Sequence, residues 1–324
     1  MNSNKKIIFV GDVALDEYYE AQYYPRLSEK ISVETLSSHP GGMIANAACV
    51  YAGYHGAIDF CAVLNSGHVS QYLCKDLNDN NVKTTMVMKD ETLPDSKVII
   101  ILAQDEHTCF IPSLHIKNIP LNENAYQNII NAEMVYSNIH EIKFLSYREK
   151  NAHDIISEAK SRGCRFAFDL DIADFREGER EYIKYIDYLF VNDIGFKNLK
   201  SELKLDEDIH KLFGEGVKLV IHTMGSKGVE VYSHDGVEKT CVEGVSVPVV
   251  DVTGAGDTFS SSFMFAFRKL NDVKKAATFA TYAAARSVRI LGARSGVSNV
   301  EEVLEFMRER SIDIIQYKEL KRRR

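Results

Sequence analysis

A chain of 324 residues with 45% apolar and 26% charged side chains has the balance of an ordinary globular protein and is long enough to bury a sizeable core. That balance excludes collagen-like, mucin-like and disordered chains. The 39 basic and 46 acidic residues leave a net charge of −7. This argues against a general nucleic-acid or anionic-membrane binder, though a small anion can still be held locally by backbone amides.

Short apolar runs alternate with longer helix-patterned segments, the signature of an α/β protein with a mainly parallel central sheet. Residues 6–10 read as a first strand ending at Gly11-Asp12. Residues 17–38 hold Tyr18, Tyr19, Tyr23, Tyr24, Ile31 and Val33 around Pro25, which predicts exposed strands rather than a helix. Gly41-Gly42 opens an Ala-rich helix reaching about residue 52. A strand at 58–64 and a helix at 69–77 follow. Residues 84–88, 97–102 and 107–111 read as strands without intervening helices. With 17–38 they are expected to form a small sheet, a lid over the main domain. The expected division is a core of 1–16, 39–83 and 113–324 and a β lid of 17–38 and 84–112.

Beyond residue 112 the alternation returns. Helices are predicted at 125–131, 146–161 and 179–185, and strands at 134–137, 165–169, 188–191 and 218–222. Residues 229–233 and 239–242 read as a hairpin around His234-Asp235-Gly236. A long helix is predicted from Gly256 to 269, and two more at 272–289 and 299–309. The six cysteines are widely and irregularly spaced, with no C-x-x-C pair. They read as reduced thiols, mostly buried, rather than as zinc ligands or a disulfide scaffold. The apolar run of residues 7–10 is too short for a secretory leader, and no run reaches about 18 apolar residues. A cytoplasmic protein is expected, with no membrane or nucleic-acid partner. The basic end KELKRRR reads as a solvated tail.

The segment Val249-Val250-Asp251-Val252-Thr253-Gly254-Ala255-Gly256-Asp257-Thr258-Phe259 carries the most chemistry. A glycine-rich turn leads into a helix whose first amides and dipole favour an anion. Gly254, Ala255 and Gly256 have almost no side chain, so an anion can approach the backbone. Asp257 reads in two ways: as a charge suited to a helix start, or as a general base beside the anion. The residues alone leave both open.

D-x-T-G-A-G-D-T-F resembles the signature of the ribokinase-like (PfkB) carbohydrate kinase family. The resemblance implies a three-layer ribokinase-like fold with a β lid. It implies Asp257 as catalytic base and Gly254, Ala255 and Gly256 as an anion hole for the γ-phosphate of ATP. Gly41-Gly42-x-x-x-Asn46 resembles the family's sugar motif, and Gly11-Asp12 with Asp16 its strand-end aspartates, with Asp12 favoured of the two. Thr223-Met224-Gly225-Ser226-Lys227-Gly228 resembles its T-x-G-x-x-G nucleotide loop, which implicates Thr223, Gly225 and Gly228. Asn192 resembles the first residue of its N-x-x-E motif, linked to Mg²⁺. Asp251 and Thr253, with the Gly292 region, resemble a monovalent-cation loop, which implies K⁺. Some relatives bury lid edges against a second subunit, so a homodimer is expected.

Two departures stand out. Gly195 occupies the expected Glu position, with Asp193 nearby at another offset. Asp169-Leu170-Asp171 replaces the family's D-x-N, with Arg176 as a possible counterpart of its arginine. The expected function is transfer of the γ-phosphate of ATP to a hydroxymethyl group of a sugar. A nucleoside kinase of the same family is the alternative, and an inactive ligand-binding relative is the alternative of another class. A dinucleotide-binding dehydrogenase is disfavoured, because the turn after the first strand lacks G-x-G-x-x-G.

Overall fold

The computed structural model describes residues 6–104, 106–170, 178–203, 209–234 and 239–321. β1 (Ile7–Val10) is four apolar residues buried on both faces, as a strand inside a parallel sheet must be. The chain then leaves the main body along β2 (Ala14–Glu20) and returns along β3 (Glu34–Gly41). α1 (Met43–His55), β4 (Ile58–Leu64), α2 (His68–Asp79) and β5 (Val82–Lys89) resume the alternation. β6 (Lys97–Ala103) and β7 (Glu106–Phe110) follow.

The second half runs β8 (Ile119–Pro120), α3 (Glu123–Ile130), β9 (Met134–Ser137), α4 (Ile139–Ile142), β10 (Leu145–Ser146), α5 (Ala152–Ser161) and β11 (Arg165–Leu170). A 3₁₀ helix at Glu179–Tyr185 precedes β12 (Tyr188–Asn192), α6 (Asp193–Glu202), α7 (His210–Gly214) and β13 (Leu219–Thr223). The hairpin β14 (Gly228–Ser233) and β15 (Thr240–Glu243) leads to α8 (Ala255–Leu270), α9 (Val273–Ser287) and α10 (Val300–Arg308).

The main sheet has the order β15-β14-β13-β12-β11-β9-β1-β4-β5. It is parallel from β5 to β13, and β14 and β15 are antiparallel. Alternation along each strand feeds two cores. Phe9, Tyr136 and Phe190 pack on one face with α1, α8, α9 and α10. Ile8, Val10, Val135 and Phe168 pack on the other with α3 and α5. This is the expected three-layer α/β architecture. The small sheet, β3-β2-β6-β7, is separate and mixed: β2 pairs antiparallel with β3 and parallel with β6, and β6 pairs antiparallel with β7.

Several sequence expectations change. The strand expected at 84–88 in the lid is β5, at the edge of the main sheet and parallel to β4. Val82, Met86 and Met88 face the core, and α2 supplies the crossover that joins β4 to β5. The lid strands begin at Ala14 and end at Gly41, wider than residues 17–38. The helix expected from 146 starts at Ala152 instead. Asn151 and Asp154 form a reciprocal capping box there, while Leu145 and Ser146 pair with β8. α6 and α7 were not foreseen. Cys49, Cys61 and Cys164 are buried, Cys74 is partly so, Cys109 and Cys241 are exposed, and none of the six is in a disulfide. Asp171, Arg176, Asp235, Gly236 and the last three residues of the basic tail lie outside the described residues.

Candidate active site

The site forms where the carboxyl ends of the central strands meet the small sheet, the place where open parallel sheets hold ligands. Asp257 stands in the first turn of α8. Its helix begins at Gly254, whose φ of 74° lies in the left-handed region. A Cβ at Gly254 would also stand 2.7 Å from the Ala293 carbonyl oxygen, so the turn is pressed onto the loop that follows α9. Within this turn the Ala255 amide donates to the Val252 carbonyl at 3.1 Å. The amides of Gly254 and Gly256 have no partner among the described residues, and beside Gly256 the space is open. The amides left open in this turn are therefore those of the two glycines, and Ala255 spends its own on closing the turn.

Asp257 meets Asn46 of α1, whose Nδ2 donates to Asp257 Oδ2 at 2.8 Å. Beneath α8, the buried Asp169 accepts hydrogen bonds from Tyr136 at 2.8 Å and Ser260 at 2.9 Å. Burial and the neighbouring carboxylates of Asp169 and Asp257 hold the Tyr136 phenol well above its ordinary value. Tyr136 therefore stays a neutral hydrogen-bond donor under α8.

The two aspartates near the first strand divide their roles. Asp12 accepts from the Met43 amide at 2.8 Å and the Ile44 amide at 3.2 Å, so it fastens the start of α1. Burial raises its pKa, and those amides and Arg294 oppose the shift. Asp16 on β2 is buried, and its carboxylate has no hydrogen-bond or ion-pair partner among the described residues. Burial pushes its carboxyl up to about 6, against the attraction of Arg294. Asp12 thus accepts one helix amide on each of its oxygens, whereas the Asp16 carboxylate accepts none among the described residues. Gly41 makes room for Asp16, since a Cβ there would fall 2.0 Å from its Oδ2. Gly42, with a φ of 98°, turns the chain from β3 into α1. Tyr18 stands near Asp16 on β2, edge-on to His39. Burial and Asp16 raise its phenol to about 12.

Asp251 acts as a clamp. Its Oδ1 accepts from the Thr253 amide at 2.9 Å and hydroxyl at 2.7 Å, and its Oδ2 accepts from the Gly292 amide at 2.8 Å. These side chains are spent on joining two loops. The backbone carbonyls of this loop, which the resemblance implied as K⁺ ligands, are not used by these side-chain contacts.

On the nucleotide side, Thr223 ends β13 beside Asn192 of β12. The Thr223 hydroxyl donates to the Val191 carbonyl at 3.3 Å. Gly225 opens a short exposed turn, whereas Gly228 is buried against the Val242 carbonyl. Gly228 therefore packs the hairpin rather than facing open space. Asn192 caps α6 through the Gly195 amide at 2.7 Å. A Cβ at Gly195 would fall 2.2 Å from the Leu170 carbonyl oxygen. The absent Glu is thus replaced by close backbone packing. Asp193 pairs with His222 at 2.8 Å. Among the described residues no cluster of His, Cys, Asp or Glu could hold a metal ion by itself. The Asn192 and Gly195 pair does not fit a protein-held Mg²⁺.

The sequence reading missed Arg294. Its side chain is 8% exposed. It donates from Nε to Asn46 Oδ1 at 2.9 Å and from a terminal nitrogen to the Gly41 carbonyl at 2.6 Å, and it pairs with Asp76 of α2. Nothing in the local pattern of residues 286–296 distinguishes it from a surface arginine.

A profile of the pfkB family carbohydrate kinases matches residues 4–299. The chain belongs to the pfkB family of carbohydrate kinases. It is accordingly a phosphotransferase with an alcohol group as acceptor. It is 24% identical over 316 residues to a ribokinase of Lactococcus lactis, covering 95% of this chain and 99% of that one. It is 25% identical over 319 residues to a nucleoside kinase of Methanocaldococcus jannaschii, covering 95% and 98%. Its fold matches Arabidopsis thaliana ribokinase complexed with ribose and ATP, with a TM-score of 0.79, 21% identity and coverage of 94% and 98%.

Proposed function

We propose that this chain transfers the γ-phosphate of ATP to a hydroxymethyl group of a sugar, with Asp257 as general base. The observation that carries this reading is the shared turn: a carboxylate and the open amides of Gly254 and Gly256 at the start of one helix. An acceptor hydroxyl beside Asp257 loses its proton to the carboxylate as its oxygen attacks the γ-phosphorus in line, and the bond from that phosphorus to the β–γ bridging oxygen breaks to release ADP. The two glycine amides and the α8 dipole face the negative charge on the transferred group. ATP enters as its Mg²⁺ complex along Thr223 and Gly225, so the metal arrives with the substrate. Asp16 accepts hydrogen bonds from sugar hydroxyls, because an unpartnered buried carboxylate gains from any donor. Gly41 and Gly42 shape that pocket. Asn46 orients the base.

The small sheet acts as the lid and excludes water, which would otherwise compete as nucleophile. Its edges β3 and β7 and the exposed Leu36 and Phe110 support a homodimer formed lid to lid, checked by light scattering. No described helix is long and apolar enough to cross a membrane. A cytoplasmic location is the reading we adopt.

The deciding experiment is ADP release from Mg²⁺·ATP with ketoses, aldoses, sugar phosphates, fructosamines and nucleosides, with Asp257→Asn as control. Nucleosides belong in the panel because one relative is a nucleoside kinase and Phe110 offers an exposed aromatic face. Sugar-dependent release lost in the variant supports the reading. No release with any acceptor, or release that persists in the variant, refutes it.

A further inference from the structure

Arg294 joins four segments that are distant in sequence: the end of β3 at Gly41, α1 at Asn46, α2 at Asp76, and the loop after α9 that carries Arg294 itself. All three guanidinium nitrogens are engaged by these partners, and the side chain is nearly buried. Three of its five N–H groups are thus spent inside the protein. Beside its direct attraction for Asp12 and Asp16, its effect on the site passes through what it holds.

Asn46 is what it holds. A guanidinium only donates hydrogen bonds, so the atom of the Asn46 amide that faces Arg294 must be the oxygen. An ionised carboxylate only accepts, so the atom that faces Asp257 must be the NH₂ group. Both neighbours select the same orientation, with Oδ1 at 2.9 Å from Arg294 and Nδ2 at 2.8 Å from Asp257. A flipped amide would oppose NH₂ to guanidinium and carbonyl to carboxylate, and would lose two charge-assisted bonds. Without Arg294 only the Asp257 end still selects, and the Asn46 carbonyl is left buried without that donor.

We propose that Arg294 is a positioning residue for the catalytic base, acting through the Asn46 amide to fix the Asp257 carboxylate. Asp76 in turn holds Arg294, so the relay runs Asp76, Arg294, Asn46, Asp257. The inference rests on the phosphoryl-transfer reading for its effect on rate, while the geometry of the relay stands apart from it.

The test has two arms. In the first, kcat is measured with Mg²⁺·ATP and the panel acceptor that turns over fastest. R294Q is expected to lower kcat by about 10- to 100-fold and leave the KM for Mg²⁺·ATP unchanged, the size of effect that misplacing a reacting group produces. R294K, which keeps the charge beside Asp76, is expected to recover part of the loss. In an N46A background, R294Q is expected to change kcat by less than about twofold, because the path it acts through is gone. Multiplying losses in that background would overturn the proposal, as would a full kcat in R294Q.

The second arm needs no acceptor. In protein labelled with ¹⁵N-asparagine, the Asn46 side-chain NH₂ signal is assigned by its absence in N46A. It is expected to shift and lose protection from hydrogen exchange in R294Q. An unchanged signal would overturn the proposal even if the wild-type protein turned over no acceptor, an outcome that would count against the phosphoryl-transfer reading instead. Thermal melts of each variant separate these losses from unfolding.

Discussion

Asn46 and Asp257 stand 211 positions apart in the chain and 2.8 Å apart in the fold, in the first turns of α1 and α8. The contact joins the turn that follows β3 to the glycine-rich turn that opens α8. In the proposed reaction it brings the residues assigned to the sugar and those assigned to the phosphate to one hydroxyl.

The base carries the sharpest expectation. Asp257→Asn keeps the shape of the turn and the hydrogen bond to Asn46 in altered form, but cannot take a proton. Turnover should fall by about 10² to 10⁴-fold while ATP binding, read by calorimetry, stays near its original strength. Retention of most turnover would remove Asp257 from its role.

Asp16 links function to stability. Its carboxyl is pushed up to about 6 from 3.8, first by burial. The folded state thus binds this proton more tightly than the unfolded chain does. Stability falls as pH rises from about 4 to about 6, and above that window the full cost, roughly 3 kcal/mol, is present. Asp16→Asn should therefore raise the melting temperature at neutral pH and flatten its dependence over that window. The same change should raise the KM for the acceptor. A lower melting temperature at neutral pH would show that Asp16 has a stabilising partner.

Gly195 tests the departure from the N-x-x-E pattern. Gly195→Glu would place a Cβ 2.2 Å from the Leu170 carbonyl. The cost of displacing the end of β11 should be about 1–3 kcal/mol, seen as a lower midpoint in urea, with no gain in activity. A variant of undiminished stability and higher turnover would mean that β11 yields easily and that a carboxylate is useful there.

Gly254→Ala should damage the site and the fold together. The left-handed φ of 74° costs an alanine roughly 1–3 kcal/mol, and the 2.7 Å approach to the Ala293 carbonyl adds to it. We expect a lower melting temperature and a kcat reduced more than the KM for ATP is raised, because the turn proposed to hold the transferred phosphate is displaced. Unaltered kcat would separate the turn from the transferred phosphate.

Much of this protein is legible in its residues because the relevant patterns are local. Fully apolar runs such as Ile7–Val10 and Ile58–Leu64 mark strands covered on both faces. The Gly254-Ala255-Gly256 turn marks the start of α8, because helix termination and left-handed geometry are set by neighbouring residues. The family's motifs sit at the strand ends and helix starts that local reading predicts.

What tertiary structure decided is every choice that depends on a partner far along the chain. The strand at 84–88, expected in the lid, belongs to the main sheet because it pairs with β4, and apolar alternation is the same in both sheets. Asp12 and Asp16 are equivalent as letters. One is consumed by the first amides of α1 and the other is left open, a difference made by where the lid strand crosses the di-glycine. Arg294 carries no local signature at all. Its role arises because the fold brings Asn46, Asp76 and Gly41 within reach of one guanidinium, and hydrogen-bond direction then does the rest.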